Sequence, residues 1–184
     1  MLYSRHQSKR NLYLISPLVL GLATVLVSCG ESKVSQCNKL IGEINQGQTV
    51  YQKSADAMKN IGGFNPTKPE EMKAQITKIK DSLEAFVGDL RKVNQGIKAL
   101  ALEDKKLKEL QNNYSTQLEV MSVGFEDSSK AISSLGTINF TAPDAVKQVE
   151  SSTKGIAESI QKVSKAGQES SLVVGEINTY CDGK

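Results

Sequence analysis

The chain has 184 residues, of which 39% are hydrophobic and only 5% aromatic, and its formal net charge is +3. Three of its 23 Lys and Arg residues lie within the first ten positions, and the others balance its 20 Asp and Glu residues. The chain therefore has no basic patch that would favour nucleic acid, and its length suits one domain. Its only histidine is His6, so the rest of the chain lacks the imidazole of zinc sites and Ser-His-Asp triads.

The N-terminal segment has the pattern of a secretory signal. Arg5, Lys9 and Arg10 make it basic, and residues 11–30 carry no charge and are rich in Leu, Ile and Val. A basic segment, an apolar segment and a small residue before the cleavage site are typical of signal peptides. The alternative is one uncleaved transmembrane helix, because about 20 apolar residues span a bilayer. Both interpretations place residues 30–184 on the far side of a membrane.

The apolar segment ends in four residues with a recognisable order: an aliphatic residue, a tolerant position, a small residue and a cysteine. They are Leu26, Val27, Ser28 and Cys29. This order resembles the lipobox of bacterial lipoprotein precursors, and the resemblance covers only the N-terminus. It implies a signal peptide over residues 1–28, cleaved before a Cys29 that carries diacylglycerol and often a further acyl chain such as palmitate.

The resemblance also implies where the protein works. Residues 29–36 would form a lipidated tether, and two or three acyl chains hold a protein firmly on a bilayer. The lipid bilayer is then a partner, and the covalent lipid on Cys29 is the only non-protein group expected. We expect the protein to face the periplasm or the cell exterior. Gly30, because it is not Asp, implies delivery to the outer membrane of a two-membrane cell.

Two cysteines remain after Cys29, at positions 37 and 181. In an exported chain, two remaining cysteines favour a disulfide. The alternative is a pair of buried free thiols.

Four runs of residues have apolar side chains at alternating spacings of four and three. They extend from Val34 to Met58, from Met72 to Leu100, from Leu107 to Leu135 and from Val146 to Cys181. A repeat of about 3.5 residues forms the apolar seam of a left-handed helical bundle. Because the connections are short, neighbouring helices should be antiparallel. We therefore predict an all-α, up-down-up-down four-helix bundle over residues 37–184.

The two cysteines set a register for the first and last helices. A count of 11 residues inward from each places Gln48 level with Ser170, and a count of 14 places Tyr51 level with Gly167. We therefore predict a buried polar layer of Gln48 and Ser170. Beside it, the Tyr51 ring should face the gap that Gly167 leaves.

The two long loops, 62–68 and 136–142, should lie at the end of the bundle away from the disulfide. They carry the residues that we call the tip: Phe64, Asn65, Asn139 and Phe140. Loops carry function more often than packed seams do, so the tip is a candidate partner-binding site. The alternative is that both rings plug the open end of the core.

These observations favour a protein that is not an enzyme. No Asp or Glu occupies a seam position, and Gly62-Gly63 lacks the Lys and Ser or Thr of a phosphate-binding loop. We expect a non-catalytic binding or structural module of the cell envelope, with an unidentified envelope protein as its partner and with neither nucleic acid nor metal.

Two alternatives stay open. One is an extracytoplasmic sensor or small-ligand-binding bundle, with an apolar molecule near Gln48, Gly167 and Ser170; a cavity there would favour it. The other is a periplasmic chaperone or inhibitor, for which exposed apolar residues beyond the seams, such as Leu40 and Val87, would be the sign.

Overall fold

A computed structural model describes residues 31–60 and 69–183, except for the side chains of residues 54–60 and 69. Four helices account for most of this part of the chain: α1 (Lys33–Asn60), α2 (Pro69–Ala99), α3 (Lys105–Leu135) and α4 (Ala145–Asp182). The described residues contain no strand, and the predicted all-α four-helix bundle is confirmed. The predicted signal peptide and Cys29 lie outside the described residues.

Contacts between helices show that sequence neighbours are antiparallel. Between α2 and α3, Arg91 pairs with Glu126, and Lys98 lies 3.8 Å from Glu119. Between α3 and α4, a methyl group placed on Gly124 would meet Val163, and one placed on Gly155 would meet Ala131. In both pairs the residue numbers rise on one helix as they fall on the other, as the up-down-up-down order requires.

The turn between α2 and α3 is held by a helix cap. Asp104 is the N-cap of α3, and its carboxylate accepts a hydrogen bond from the backbone N–H of Leu107 at 3.0 Å. The hydroxyl of Tyr180, in α4, donates to the same carboxylate at 2.9 Å. The Leu107 N–H and the Tyr180 hydroxyl hold the pKa of Asp104 below its ordinary value. The cap therefore also attaches the end of α4 to the start of α3.

A disulfide closes the same end of the bundle. Cys37 and Cys181 are bonded, with their Cα atoms 5.7 Å apart, so the alternative of free thiols is wrong. Beside them, the side-chain oxygen of Gln36 accepts hydrogen bonds from the backbone N–H groups of Glu103 and Asp104. The start of α1, the α2–α3 turn and the end of α4 are thus joined within one small region.

The helix α1 begins at Lys33, inside the segment predicted to be a tether. The ammonium group of Lys33 lies 3.7 Å from the ring centre of Tyr180, close enough for a cation–π contact. The part of the predicted tether that precedes the first helix is therefore shorter than residues 29–36.

The central helices bury the seams that the spacing predicts. On α2 and α3, six side chains have no exposed surface: that of Ser122 and five apolar side chains on these seams. The apolar ones are Leu90, Ile97, Leu107, Leu110 and Leu118. Burial of each such side chain stabilises the fold by roughly 1.5–3 kcal/mol, so these two helices hold most of the core.

The outer helices depart from the predicted seams. On α4, Val146 is 69% exposed and Ile160 is 58% exposed, although both were predicted to be buried. The buried residues on this helix are instead mostly small, among them Ser152, Ser159 and Ala166. Small side chains let α4 lie close to α3, and this close contact turns its apolar stripe partly toward solvent. At the start of α1, the predicted seam residue Val34 is likewise 67% exposed.

The disulfide should contribute substantially to stability, because it closes a loop spanning 144 positions of sequence. In the chain-entropy model such a loop is worth roughly 4–5 kcal/mol. We expect the double variant Cys37→Ser, Cys181→Ser to lose a stability of this order in urea unfolding. Reductant should destabilise the parent protein and leave the double variant unchanged. Equal urea midpoints for the parent and the double variant would contradict the expectation.

Candidate functional site

The helix α1 packs mainly on α2, while α4 packs mainly on α3, so contact between α1 and α4 is sparse. Beyond the disulfide, this arrangement leaves a cavity of about 390 Å³ to which α1, α3 and α4 all contribute. Nine residues line it: Gln48, Tyr51, Tyr114, Met121, Val163, Gly167, Ser170, Ser171 and Val174. The cavity lies where the register from the two cysteines placed Gln48, Tyr51, Gly167 and Ser170 on neighbouring levels.

Tyr51 forms one wall, and its ring is fixed by aromatic contacts. The ring centres of Tyr51 and Phe86 are 5.3 Å apart in an edge-to-face arrangement, and Phe86 makes a similar contact with Phe125 at 4.9 Å. Edge-to-face pairs of this kind are favourable beyond the area they bury. The hydroxyl of Tyr51 donates to the sulfur of Met121 at 2.7 Å. Residues of α2 and α3 therefore hold this ring in place.

Tyr114 and Ser170 contribute the buried polar part of the site. The Ser170 hydroxyl lies beside the Tyr114 hydroxyl and lowers its pKa, and both residues are buried, at 3% and 8% exposure. Gly47 lets α1 approach this pair, because a methyl group at that position would lie 3.4 Å from the Tyr114 hydroxyl. A larger side chain at position 47 would push α1 away from the polar pair.

Burial raises the pKa of both tyrosines. For Tyr51 the removal of water is the main cause, with the neighbouring Tyr114 hydroxyl adding to it. For Tyr114 the same loss of water outweighs the opposing hydrogen bond from Ser170. Both hydroxyls thus stay uncharged over the whole physiological range of pH and serve as neutral hydrogen-bonding groups.

Gly167 accounts for much of the open space on the α4 side. The nearest atom that a methyl group at this position would meet is the sulfur of Met121, 4.0 Å away. The Tyr51 ring lies on the same cavity but does not fill the gap. Tyr51 and Gly167 line the same cavity, as expected for residues at the same level of the bundle. Space nevertheless remains between them.

The prediction of a buried polar layer is wrong for Gln48. Ser170 is buried, but the Gln48 side chain is exposed and no hydrogen bond joins the two. The reason is that α1 lies against α2 rather than close to α4, so a side chain from α1 at this level reaches solvent. Tyr114, on α3, takes the place of Gln48 as the partner of Ser170.

Charge distinguishes this cavity from the other clefts on the bundle. None of the nine described residues that line it is ionised at neutral pH. Four other clefts on the described surface each contain Lys or Arg together with Glu. An uncharged lining in which Tyr and Ser hydroxyls lie beside apolar side chains is suited to binding a neutral molecule.

At the other end of the bundle, the tip residues that the structure describes face solvent. Phe140 is 57% exposed, and Asn139 is exposed with its side-chain oxygen accepting hydrogen bonds from the N–H and the hydroxyl of Thr141. The buried side chain here is Ile138. The alternative that Phe140 plugs the core is therefore wrong. Phe64 and Asn65 lie outside the described residues.

Tyr114 and Met121 were assigned to the α3 seam but not to the site. The spacing placed them correctly in the core, and it could not show that α1 and α4 would diverge and expose the cavity that they line. Their level along the bundle was predictable, since Tyr114 follows Leu107 by one heptad and Met121 follows Tyr114 by another. The missing information was the distance between the two outer helices.

The described residues show neither a metal-binding cluster nor a membrane-spanning helix, and no known protein matches the chain. The described residues contain no group of three or more His, Cys, Asp or Glu side chains placed to hold a metal ion. Among the described helices, none combines the length and apolar character needed to cross a membrane. Comparison with protein-family models, curated proteins and solved structures finds nothing that matches this chain.

The raised pKa values of the two cavity tyrosines can be measured by alkaline titration of tyrosine absorbance. Because each folded-state pKa lies above the unfolded value of about 10, the stability that these neutral phenols contribute is complete below pH 10 and is lost as pH rises through the folded pKa. We expect the difference between the parent protein and Tyr51→Phe to isolate a group that ionises only above pH 10. In urea, the pKa obtained from the same difference should shift to about 10. Ionisation of Tyr51 at its ordinary pKa in the folded protein would show that water fills the cavity.

Proposed function

We propose that this chain is an exported bacterial lipoprotein, anchored by lipid on Cys29, whose helical bundle is a non-catalytic binding module of the cell envelope. The observation that carries the binding role is the uncharged cavity between α1 and α4. The anchoring role is supported by the lipobox of Leu26, Val27, Ser28 and Cys29 at the end of an apolar segment. No residue of the module is assigned a catalytic role.

The two parts of the proposal fit together in space. The disulfide joins Cys37 and Cys181 at the end of the bundle nearest to Cys29 in sequence. Gln48 lies 11 residues further along α1, which is about 16 Å at the rise of an α-helix. An anchor at Cys29 would therefore leave the cavity clear of the bilayer surface and open to molecules that diffuse in the envelope.

Among the open alternatives, a small-ligand-binding bundle is favoured over a chaperone or inhibitor. The cavity at Gln48, Gly167 and Ser170 is the feature that the ligand-binding alternative required. The residues that would have marked a chaperone surface, Leu40 and Val87, are buried. An extracytoplasmic sensor would use the same cavity, with ligand occupancy as its input.

A second candidate function is presentation of the tip to an envelope protein, favoured by the exposed ring of Phe140. A photoreactive amino acid at position 140 should then cross-link one specific envelope protein, with a similar result from position 64. The same group at the exposed position Leu172, on the side of α4, is the control. Recovery of the same proteins from positions 140 and 172 would contradict a role for the tip.

The anchor can be tested by the mass of the protein extracted from membranes of a bacterial host. We expect a chain that begins at Cys29 and carries diacylglycerol, with an additional acyl chain in hosts that acylate the new N-terminus. The variant Cys29→Ser should keep its signal peptide and lose the lipid mass. A membrane form that begins at Met1 or Leu2 with an unmodified Cys29 would contradict the lipoprotein and support the uncleaved helix.

A further inference from the structure

We propose that the cavity between α1 and α4 binds a neutral, predominantly apolar small molecule that carries one or two hydrogen-bonding groups. The inference rests on the proposed binding function and adds to it the chemical class of the ligand. It follows from three properties of the cavity, which are its lack of charge, the position of its hydroxyls and its size.

The lack of charge excludes ionic ligands. Moving an isolated ion out of water into an uncharged site carries a large penalty unless an opposite charge or several hydrogen bonds compensate. The described lining offers no opposite charge. Anions and cations would instead find partners at the four other clefts, where Lys, Arg and Glu side chains lie on the surface.

The arrangement of side chains indicates how a neutral ligand would lie. Val163, Val174 and the Met121 thioether provide apolar contact, and the polarizable sulfur is favourable next to aromatic rings. The Ser170 and Tyr114 hydroxyls form one buried polar point, and the exposed Gln48 amide forms a second at the solvent side. A ligand with an apolar body and a carbonyl or hydroxyl group would satisfy both parts.

The size of the cavity separates a small molecule from a partner helix. Its volume of about 390 Å³ falls at the lower end of the range of roughly 300–1,000 Å³ typical of small-molecule pockets. An α-helix is about 10 Å across, so it would fill this volume with about one turn. The cavity is therefore too short for helix recognition, and it suits a molecule of one or two rings or a short branched chain.

A pair of photoreactive probes with the same rings tests the proposed class. Benzophenone is neutral and carries one carbonyl group, whereas benzoylbenzoate adds a carboxylate that is ionised at neutral pH. On irradiation both insert into nearby C–H bonds, and peptide mapping by mass spectrometry then locates the label. The full chain is used in detergent micelles, because mapping by residue separates labelling in the cavity from partition into the micelle.

We expect benzophenone to label Met121 and the neighbouring cavity residues in a saturable manner. Benzoylbenzoate should label them at least about tenfold less, because its carboxylate would lose water without gaining a partner. The variant Gly167→Leu should abolish labelling of Met121, since the new side chain would occupy the open space. Its matched control is Gly42→Leu, at an exposed position of α1 with no atom within 4 Å. This control should label like the parent protein, and helix content measured for all variants shows that they fold.

The possible outcomes separate the two proposals. Strong labelling of Met121 by benzoylbenzoate would overturn the neutral class while leaving a binding cavity in place. Absence of labelling at Met121 by either probe, or labelling that Gly167→Leu does not reduce, would overturn both the ligand class and the cavity as the binding site. In that case cross-linking at the tip decides whether the bundle binds a partner elsewhere.

Discussion

The close packing of α4 on α3 is the contact on which the rest of the bundle depends. A methyl group added to Gly124 would lie 2.5 Å from a Val163 methyl carbon and 3.3 Å from the Ser159 carbonyl oxygen. One added to Gly155 would lie 3.5 Å from the Ala131 side chain, an ordinary contact distance. Gly124 therefore lets the two helices approach closely, and close approach determines how α4 is rotated about its own axis. The apolar stripe of α4 consequently faces the side where α1 lies and the solvent beside it.

The position of α1 follows from what the other three helices leave free. It is bonded to α4 through Cys37 and packs mainly on α2, where Gly47 lets it approach Val93. It meets α3 at Tyr51, whose hydroxyl donates to the Met121 sulfur. The gap between the outer helices is therefore a result of how α3 and α4 pair, and the cavity occupies that gap. Larger side chains at Ser152 or Ser159 of α4 would therefore change the cavity without touching its lining.

Much of the fold was predictable because helix periodicity and turn chemistry are local properties. The α2 and α3 seams, from Ile76 to Ile97 and from Leu107 to Met121, are buried as their spacing predicts, except that Ile79 is half-buried. The disulfide was predictable because Cys37 and Cys181 occupy seam positions at adjoining ends of an antiparallel bundle. Both predictions depend only on spacing along the chain and on the order of the helices.

The predictions that failed depend on distances between helices, which spacing does not determine. A heptad seam shows which face of α4 is apolar, but small residues on a neighbouring face drew it closer to α3 and left Ile160 exposed. For the same reason Gln48 is at the correct level and yet reaches solvent. The cavity could be anticipated from the smallness of Gly167, whereas its volume and its uncharged lining required the positions of Tyr114 and Met121 on α3.

The disulfide also determines how the molecule would carry mechanical force. Tension applied between the residues before Cys37 and those after Cys181 passes through the sulfur–sulfur bond, so the contacts between the helices bear none of it. A pull between the N-terminal side and the α3–α4 turn, in contrast, loads α4 along its length against the closely packed face of α3. A module held at one end by lipid would therefore resist stretching between its two chain ends, while a force on its far end would be felt directly by the helices that line the cavity.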